Sequence, residues 1–303
     1  MLSVLQRILV VLRKLFMCLL LLVMIIGAFF LMRGNLLLTR YYHVASHSGN
    51  NVRIVALTDL HGERFGAYQE RLIRKVRLAS PDIIVYTGDM IERTKVDASV
   101  DSLLMLTRGL VEIAPVYYVD GNHERDVLEE SPELYDLLNM KLEALGAVHL
   151  DNEIATINIE DQQINVCGIT THYYWDEPEQ KISEELRNLQ GVNVMLCHYP
   201  ESILWYGPFD EGGLDLAICG HSHGGLIRIP FRGGLYAPEW GFWPMYDLGE
   251  YFVYEDTTWR DYGGNNGARY LGTMIISGGL AGEHRIPRIN NPCEVSVIDL
   301  DKK

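Results

Sequence analysis

The chain has 303 residues, 48% of them hydrophobic, and a formal net charge of −14 from 40 acidic against 26 basic side chains. That length and apolar content allow a large buried core, in one domain or two, and exclude a disordered chain. The negative field weighs against nucleic acid as a partner, and five cysteines without a CxxC spacing make neither a disulfide scaffold nor a thiolate metal site.

From Leu15 to Met32 the sequence LFMCLLLLVMIIGAFFLM carries no charge, about enough helix to cross the hydrocarbon core of a bilayer. The stretch is longer than the apolar region of a signal peptide and lacks an A-x-A-like exit, so residues 1–40 are expected to be an uncleaved, single-pass membrane anchor. Arg7, Arg13 and Lys14 precede the span, while Arg33 and Arg40 follow it. The excess on the N-terminal side favours a cytoplasmic N-terminus and a domain outside the cytoplasm. Residues 41–51 (YYHVASHSGNN) lack periodicity and are expected to be a linker to a domain over 52–303.

In that domain short β-branched runs alternate with stretches of helical period, the pattern of a layered βαβ architecture. VRIVALT (52–58) predicts a strand, 68–79 a helix and DIIVYT (82–87) a strand. Val96, Val100, Leu103, Leu104, Thr107, Leu110 and Val111 share one helix face. PVYYVD (115–120) returns to strand, and 131–146 is a helix between Ser131 as N-cap and Gly146 beyond its end. ATINI and QINVCGI form a hairpin across Glu160, Asp161 and Gln162. VNVMLC (192–197) and LDLAIC (214–219) are buried strands, with helices near 178–189 and 200–206 and closing strands TMIIS (273–277) and EVSVIDL (294–300). Cys197 adjoins His198, but neighbours in a strand point to opposite faces, so it is expected to be a buried thiol rather than a nucleophile.

The chemistry lies in the turns that leave the strands. After the first strand comes Asp59-Leu60-His61; after the second, Gly88-Asp89; after the third, Asp120-Gly121-Asn122-His123-Glu124. VMLC leads into His198, and LDLAIC into Gly220-His221-Ser222-His223. Five of the ten histidines thus sit at strand C-termini, the edge that lines the ligand crevice of open α/β sheets. Any one of these motifs is an ordinary turn signal; five in order are not. Two aspartates, an amide oxygen and four imidazoles suit first-row divalent ions and are too many ligands for one. A pair of such ions can activate water and clamp the oxygens of an in-line phosphoryl displacement.

This set resembles the calcineurin-like metallophosphoesterases, whose pattern is D-x-H, G-D, G-N-H-D/E, H and G-H-x-H in that order, and the resemblance covers residues 52 to about 300. GGLIRIPF (224–231), GLYAPEWGFWPMYDLG (234–249) and IPRINNPCEV (286–295) are similar to the membrane-anchored bacterial branch of the family, some members of which are UDP-2,3-diacylglucosamine diphosphatases. The resemblance implies a four-layer α-β-β-α sandwich with two mixed central sheets and a centre of two divalent metal ions (Mn²⁺, Fe²⁺/³⁺ or Zn²⁺). Asp59, His61 and His223 would hold the first ion and Asn122, His198 and His221 the second, with Asp89 bridging. His123 would be the catalytic acid facing the leaving oxygen. Position 58 is Thr where many relatives have Ser, a frequent arginine is here Gly278, and the stretch from Tyr254 to Arg269 is longer than usual.

His43, His47, His149, His172 and His284 are expected at the surface or in satisfied loops, with His284 the one to test for substrate contact. Eleven aromatics crowd residues 231–262, either as a loop subcore or as a wall for a lipid or glycan phosphoester beside a bilayer. The expectation is a membrane-anchored phosphoesterase that cleaves a phosphodiester or pyrophosphate bond of a lipid- or nucleotide-sugar-linked substrate such as UDP-2,3-diacylglucosamine. The alternatives are a noncatalytic, membrane-tethered metal- or phosphate-binding module and a nuclease.

Overall fold

A computed structural model of the chain describes residues 4–34, 36–46, 52–169, 176–207, 209, 213–237, 240–255, 268–281 and 286–302. Linker residues 47–51, His172, His284, Trp259 and Tyr262 lie outside them, as does most of the 254–269 stretch. The chain opens with α1 (Val4–Gly34), β1 (Leu37–Ser46), β2 (Val52–Leu57), α2 (Glu70–Ala79) and β3 (Ile83–Thr87). It continues through α3 (Val96–Leu110), β4 (Val116–Val119), α4 (Asn122–Glu130), α5 (Pro132–Ala144) and β5 (Ala147–His149). The second half contains β6 (Ile154–Ile159), β7 (Gln162–Ile169), α6 (Glu177–Arg187), β8 (Val192–Cys197), α7 (Pro200–Tyr206) and β9 (Leu216–Cys219). It ends with β10 (Ile227–Ile229), β11 (Gly233–Ala237), β12 (Gly241–Phe242), β13 (Gly249–Tyr254), β14 (Tyr270–Ile276) and β15 (Cys293–Lys302).

Two six-stranded mixed sheets carry the fold, ordered β1-β15-β2-β3-β4-β5 and β13-β14-β9-β8-β7-β6. β2, β3 and β4 are mutually parallel, as are β7, β8, β9 and β14. Their β-branched runs are buried on both faces, which is why they read as continuous apolar segments. Ile54 and Val85 of the first sheet pack against Val194 and Ile218 of the second in one core between the sheets. Outside the first sheet, Leu72 and Val76 of α2 and Leu103 and Leu106 of α3 cover Val55 and Ile84. Outside the second, Leu186 of α6 and Ile203 of α7 cover Met195 and Ala217. The result is a four-layer α-β-β-α sandwich.

Ahead of it, Gln6–Phe29 of α1 has a mean hydropathy of 2.7 and is exposed, long and apolar enough to cross a membrane. The structure corrects the expected bounds, since residues 37–40 of the expected anchor and 41–46 of the expected linker are strand. Residues 41–46 are the second half of β1, which lies parallel to β15 in register from Leu37↔Cys293 to Ser46↔Lys302. Tyr42 and Val44 point into the core between the sheets, and the Tyr42 hydroxyl donates to Glu294 Oε1 at 2.8 Å. The alternation escapes a sequence reading because the buried positions are Tyr42, Val44 and Ser46, not an aliphatic series.

β1 therefore belongs to the domain. A fragment beginning at Leu36 is expected to fold, and one beginning at residue 47 to melt far lower or not fold. Leu37, Tyr42 and Val44 together are worth roughly 5–9 kcal/mol of burial, comparable to the whole stability of an ordinary domain. Equal thermal melts for the two fragments would remove β1 from the core.

Candidate metal centre

All five motif-bearing turns leave the C-terminal ends of strands: Asp59 and His61 after β2, Asp89 after β3, His198 after β8, and His221 and His223 after β9. After β4 the chain enters α4 at once, which puts Asn122 and His123 in that helix's first turn. Five of these side chains hang from backbone in the left-handed region: Asp59 (φ 51°), His61 (45°), Asp89 (54°), His221 (67°) and His223 (49°). Such conformations cost a non-glycine residue of order 1–3 kcal/mol each and concentrate at functional sites.

Two glycines let the turns touch. A Cβ on Gly88 (φ 92°) would meet the Gly121 nitrogen at 2.6 Å and His198 Nδ1 at 2.7 Å, and one on Gly121 would meet Asp89 Oδ1 at 2.3 Å.

The side chains so placed form two neighbouring groups. Asp59, His61 and His223 bring their ligand-type atoms within 4.8 Å of one another, and Asp89, His198 and His221 do the same. Asp89 stands between them. Its Oδ2 lies 3.3 Å from His198 Nε2, 3.8 Å from His61 Nε2 and 4.0 Å from His123 Nε2, while its Oδ1 accepts the His123 backbone N–H at 2.8 Å. Asn122 Oδ1, Asp59 Oδ2 and both ring nitrogens of His61 are buried without a hydrogen bond. Orphaned polar atoms are expensive unless something else fills the space between them. The donor set is all nitrogen and oxygen, the composition that first-row divalent cations take, so the residues present fit a pair of such ions.

Backbone carbonyls orient two of the imidazoles. His198 Nδ1 is 2.7 Å from the Thr87 carbonyl, and His223 Nδ1 is 3.2 Å from that of Ala281. With Nδ1–H donating, each ring turns its Nε2 toward the cluster. Burial depresses His221 well below the ordinary imidazole value and brings His223 down to about 4, which keeps both neutral and able to ligate. His198 goes the other way: burial opposes its charge, but the Asp89 carboxylate prevails and holds it up at about 10. The Arg93 N–H donates to His123 Nδ1 at 3.3 Å, so the neutral His123 ring carries its proton on Nε2, the side that faces Asp89.

Two acidic residues to which the motifs assign no role belong here. Glu92, three residues past Asp89, approaches His61 Nδ1 at 3.5 Å and His123 Nδ1 at 3.6 Å. Although burial opposes its ionisation, His61 and the Thr94 N–H hold Glu92 down at about 2. Glu124 accepts four backbone N–H groups, from Asp89 and Gly121 on Oε2 and from Met90 and Ile91 on Oε1, at 2.8–3.0 Å. It clamps the turn after β3 to the start of α4. Its position inside Gly-Asn-His-Glu is visible in the sequence; for Glu92 only its closeness to Asp89 is a signal.

Other side chains fall outside the cluster. Cys197 is buried, its thiol pushed up to about 12 by that burial, as an inert core residue would be. His43 faces Asp301 at 3.1 Å, and His149 sits 3.2 Å from Asp120 and stacks on Tyr118. The aromatic segment divides: Tyr246 is core and Trp240 packs against that core, whereas Phe231, Phe242, Trp243 and Phe252 are exposed.

Among known proteins, the model of a family described as calcineurin-like phosphoesterase matches residues 52–225. An uncharacterized metallophosphoesterase of Campylobacter jejuni is 29% identical over 202 residues, which are 66% of this chain and 51% of that protein. The phosphodiesterase YaeI of Escherichia coli is 27% identical over 191 residues, 61% of this chain and 66% of its own length. UDP-2,3-diacylglucosamine pyrophosphatase LpxG of Chlamydia trachomatis is 25% identical over 227 residues, 60% of this chain and 66% of its own. The chain thus spans about half to two thirds of the length of these relatives.

Proposed function

The chain belongs to the calcineurin-like phosphoesterase family, and on that premise we propose that it hydrolyses phosphodiester or pyrophosphate bonds with two divalent cations held where the ends of its two sheets meet. The observation that carries this reading is the convergence of Asp59, His61, Asp89, His198, His221 and His223 on one spot, with buried acceptor atoms there lacking any partner. Asp59, His61 and His223 hold one cation, Asn122, His198 and His221 the other, and Asp89, facing both groups, is shared. When bound, the cations (Mn²⁺, Fe or Zn²⁺) polarise the phosphoryl oxygens and make water nucleophilic at neutral pH.

The protein's own part is positional and proton-carrying. Neutral His221 and His223 and the oriented His198 ring fix the cation positions. His123 is more exposed than the other imidazoles, with 15% of its side chain open against 1% for His198 and 4% for His223, so it reaches the substrate and, as the imidazolium, delivers its Nε2 proton to the leaving oxygen and returns to the neutral ring. Glu92, behind both His61 and His123, sets a negative charge beside the two rings that favours their protonated forms. A tethered module that only bound phosphate would have no use for His123 in that place.

The finer reading is a single-pass membrane protein, its domain outside the cytoplasm, acting on a lipid-linked pyrophosphate or nucleotide-sugar diphosphate. The apolar α1, the exposed Phe242 and Trp243, and the similarity to LpxG support it.

Metal removal tests the core of the proposal. The detergent-solubilised full chain, dialysed against a chelator, is expected to lose hydrolysis of an aryl phosphodiester and to regain it with added Mn²⁺. Loading must displace the proton that Asp89 holds on His198, so protons are released on binding and metal affinity falls as pH is lowered. Calorimetry in buffers of different ionisation enthalpy reads that release. A chelated, metal-free chain that keeps its full rate would end the proposal.

A further inference from the structure

Apart from the centre described above, a cavity of about 610 Å³ opens between the start of β1 and the β10–β11 hairpin. Three arginines, Arg40, Arg228 and Arg232, line it, and none of the described lining residues is acidic, in a chain whose net charge is −14. Arg40 and Arg228 are held from behind by Glu294 and Asp247, at 2.9 Å each, carboxylates that are themselves almost wholly covered. Arg232 lies over the Trp243 ring, 4.7 Å from its centre. At the turn of the hairpin Phe231 is fully exposed, and Phe242, Trp243 and Met245 are also open to solvent. An exposed apolar tip beside a basic cluster and a Trp is the composition of a membrane–water interface contact.

The chain path says which surface it meets. Leu38 and Arg40 follow the last residue of α1, Gly34, by four and six positions, so the cavity wall lies within roughly 20 Å of the end of that helix. We infer that the β10–β11 hairpin and the cavity behind it dock on the anionic bilayer that α1 enters, with Phe231 at the acyl boundary and a phospholipid phosphate between Arg40, Arg228 and Arg232. The inference rests on α1 being membrane-spanning and adds a second point of contact, which fixes the domain's tilt. Full exposure of Phe231 favours a lipid surface over a free anion, because a soluble phosphate has no use for an apolar tip.

The test is hydrogen exchange on the full chain in nanodiscs, either of phosphatidylcholine with phosphatidylglycerol or of phosphatidylcholine alone. Amides around Phe231 are expected to exchange at least about fivefold more slowly in the anionic discs. The double variant Phe231→Asp with Arg232→Glu should erase that difference while leaving β2 and β8 as protected as before. Equal exchange of the hairpin in both discs, with α1 protected, would overturn the docking and leave the anchor standing. Unprotected α1 amides in the discs would remove the anchor and the docking with it. Protection reproduced by inorganic phosphate over phosphatidylcholine discs would replace the lipid surface by a soluble anion.

Discussion

Replacing Asp89 by Asn is expected to lower hydrolysis by about 10³-fold or more, the scale of losing a principal electrostatic element of an active site, and to reduce bound metal from about two ions per chain to fewer than one. The substitution is close to isosteric. The Asp89 side chain still fits beneath Gly121 and can still accept the His123 N–H through its oxygen, so the fold should survive. What goes is the charge of Oδ2, the atom that faces His61, His123 and His198 at once. With that carboxylate neutral, His198 loses the largest support for its charge, only the Asp59 carboxylate and the Thr87 carbonyl remaining, and its titration should fall from about 10 toward the ordinary imidazole range. Metal analysis of the purified variant, beside a melt to confirm folding, reads both effects. A variant that keeps two ions and near-normal turnover would remove Asp89 from the centre.

His123→Ala should behave in the opposite way: metal content unchanged, turnover down by about 10²–10⁴-fold, the range for losing a positioned proton donor. The size should depend on the leaving group. An aryl phosphodiester such as the bis-p-nitrophenyl compound expels a stable phenolate and needs little help. An alkyl ester, whose alkoxide must be protonated as it leaves, should suffer most. Glu92→Gln should give a weaker version of the same pattern, since it takes away a charge that favours the His123 imidazolium without removing the ring. If the alanine variant loses its metals, or slows both leaving groups alike, His123 is holding the site together rather than supplying a proton.

The candidate centre is readable from the sequence because each of its side chains comes within a few residues of an apolar strand's end, so the strand pattern alone predicts which edge they share. Glu92 is not readable in that way. It stands in an irregular turn, and only the approach of β4 and α4 brings His123 against it. α4 escapes because NHERDVLEE has no apolar stripe and buries only Glu124 and Val127; the Glu124 carboxylate bonded to the Gly121 N–H starts it in place of a hydrophobic face. β10 to β12 are two to five residues long, the last two beginning with glycine, too short to establish an alternation. β1 is hidden because its core-facing residues include Tyr and Ser, and because its partner, β15, lies at the far end of the chain.

Two residues separate Gly34 from Leu37, a gap of no more than about 11 Å. With α1 in a bilayer, a domain spliced this closely to its helix has no leash on which to wander into bulk solution. The catalytic edge would travel with the lipids in two dimensions, at a nearly constant height above them. Phosphoesters that drift in the same plane would meet it by lateral diffusion, and freely dissolved ones would have to come to it.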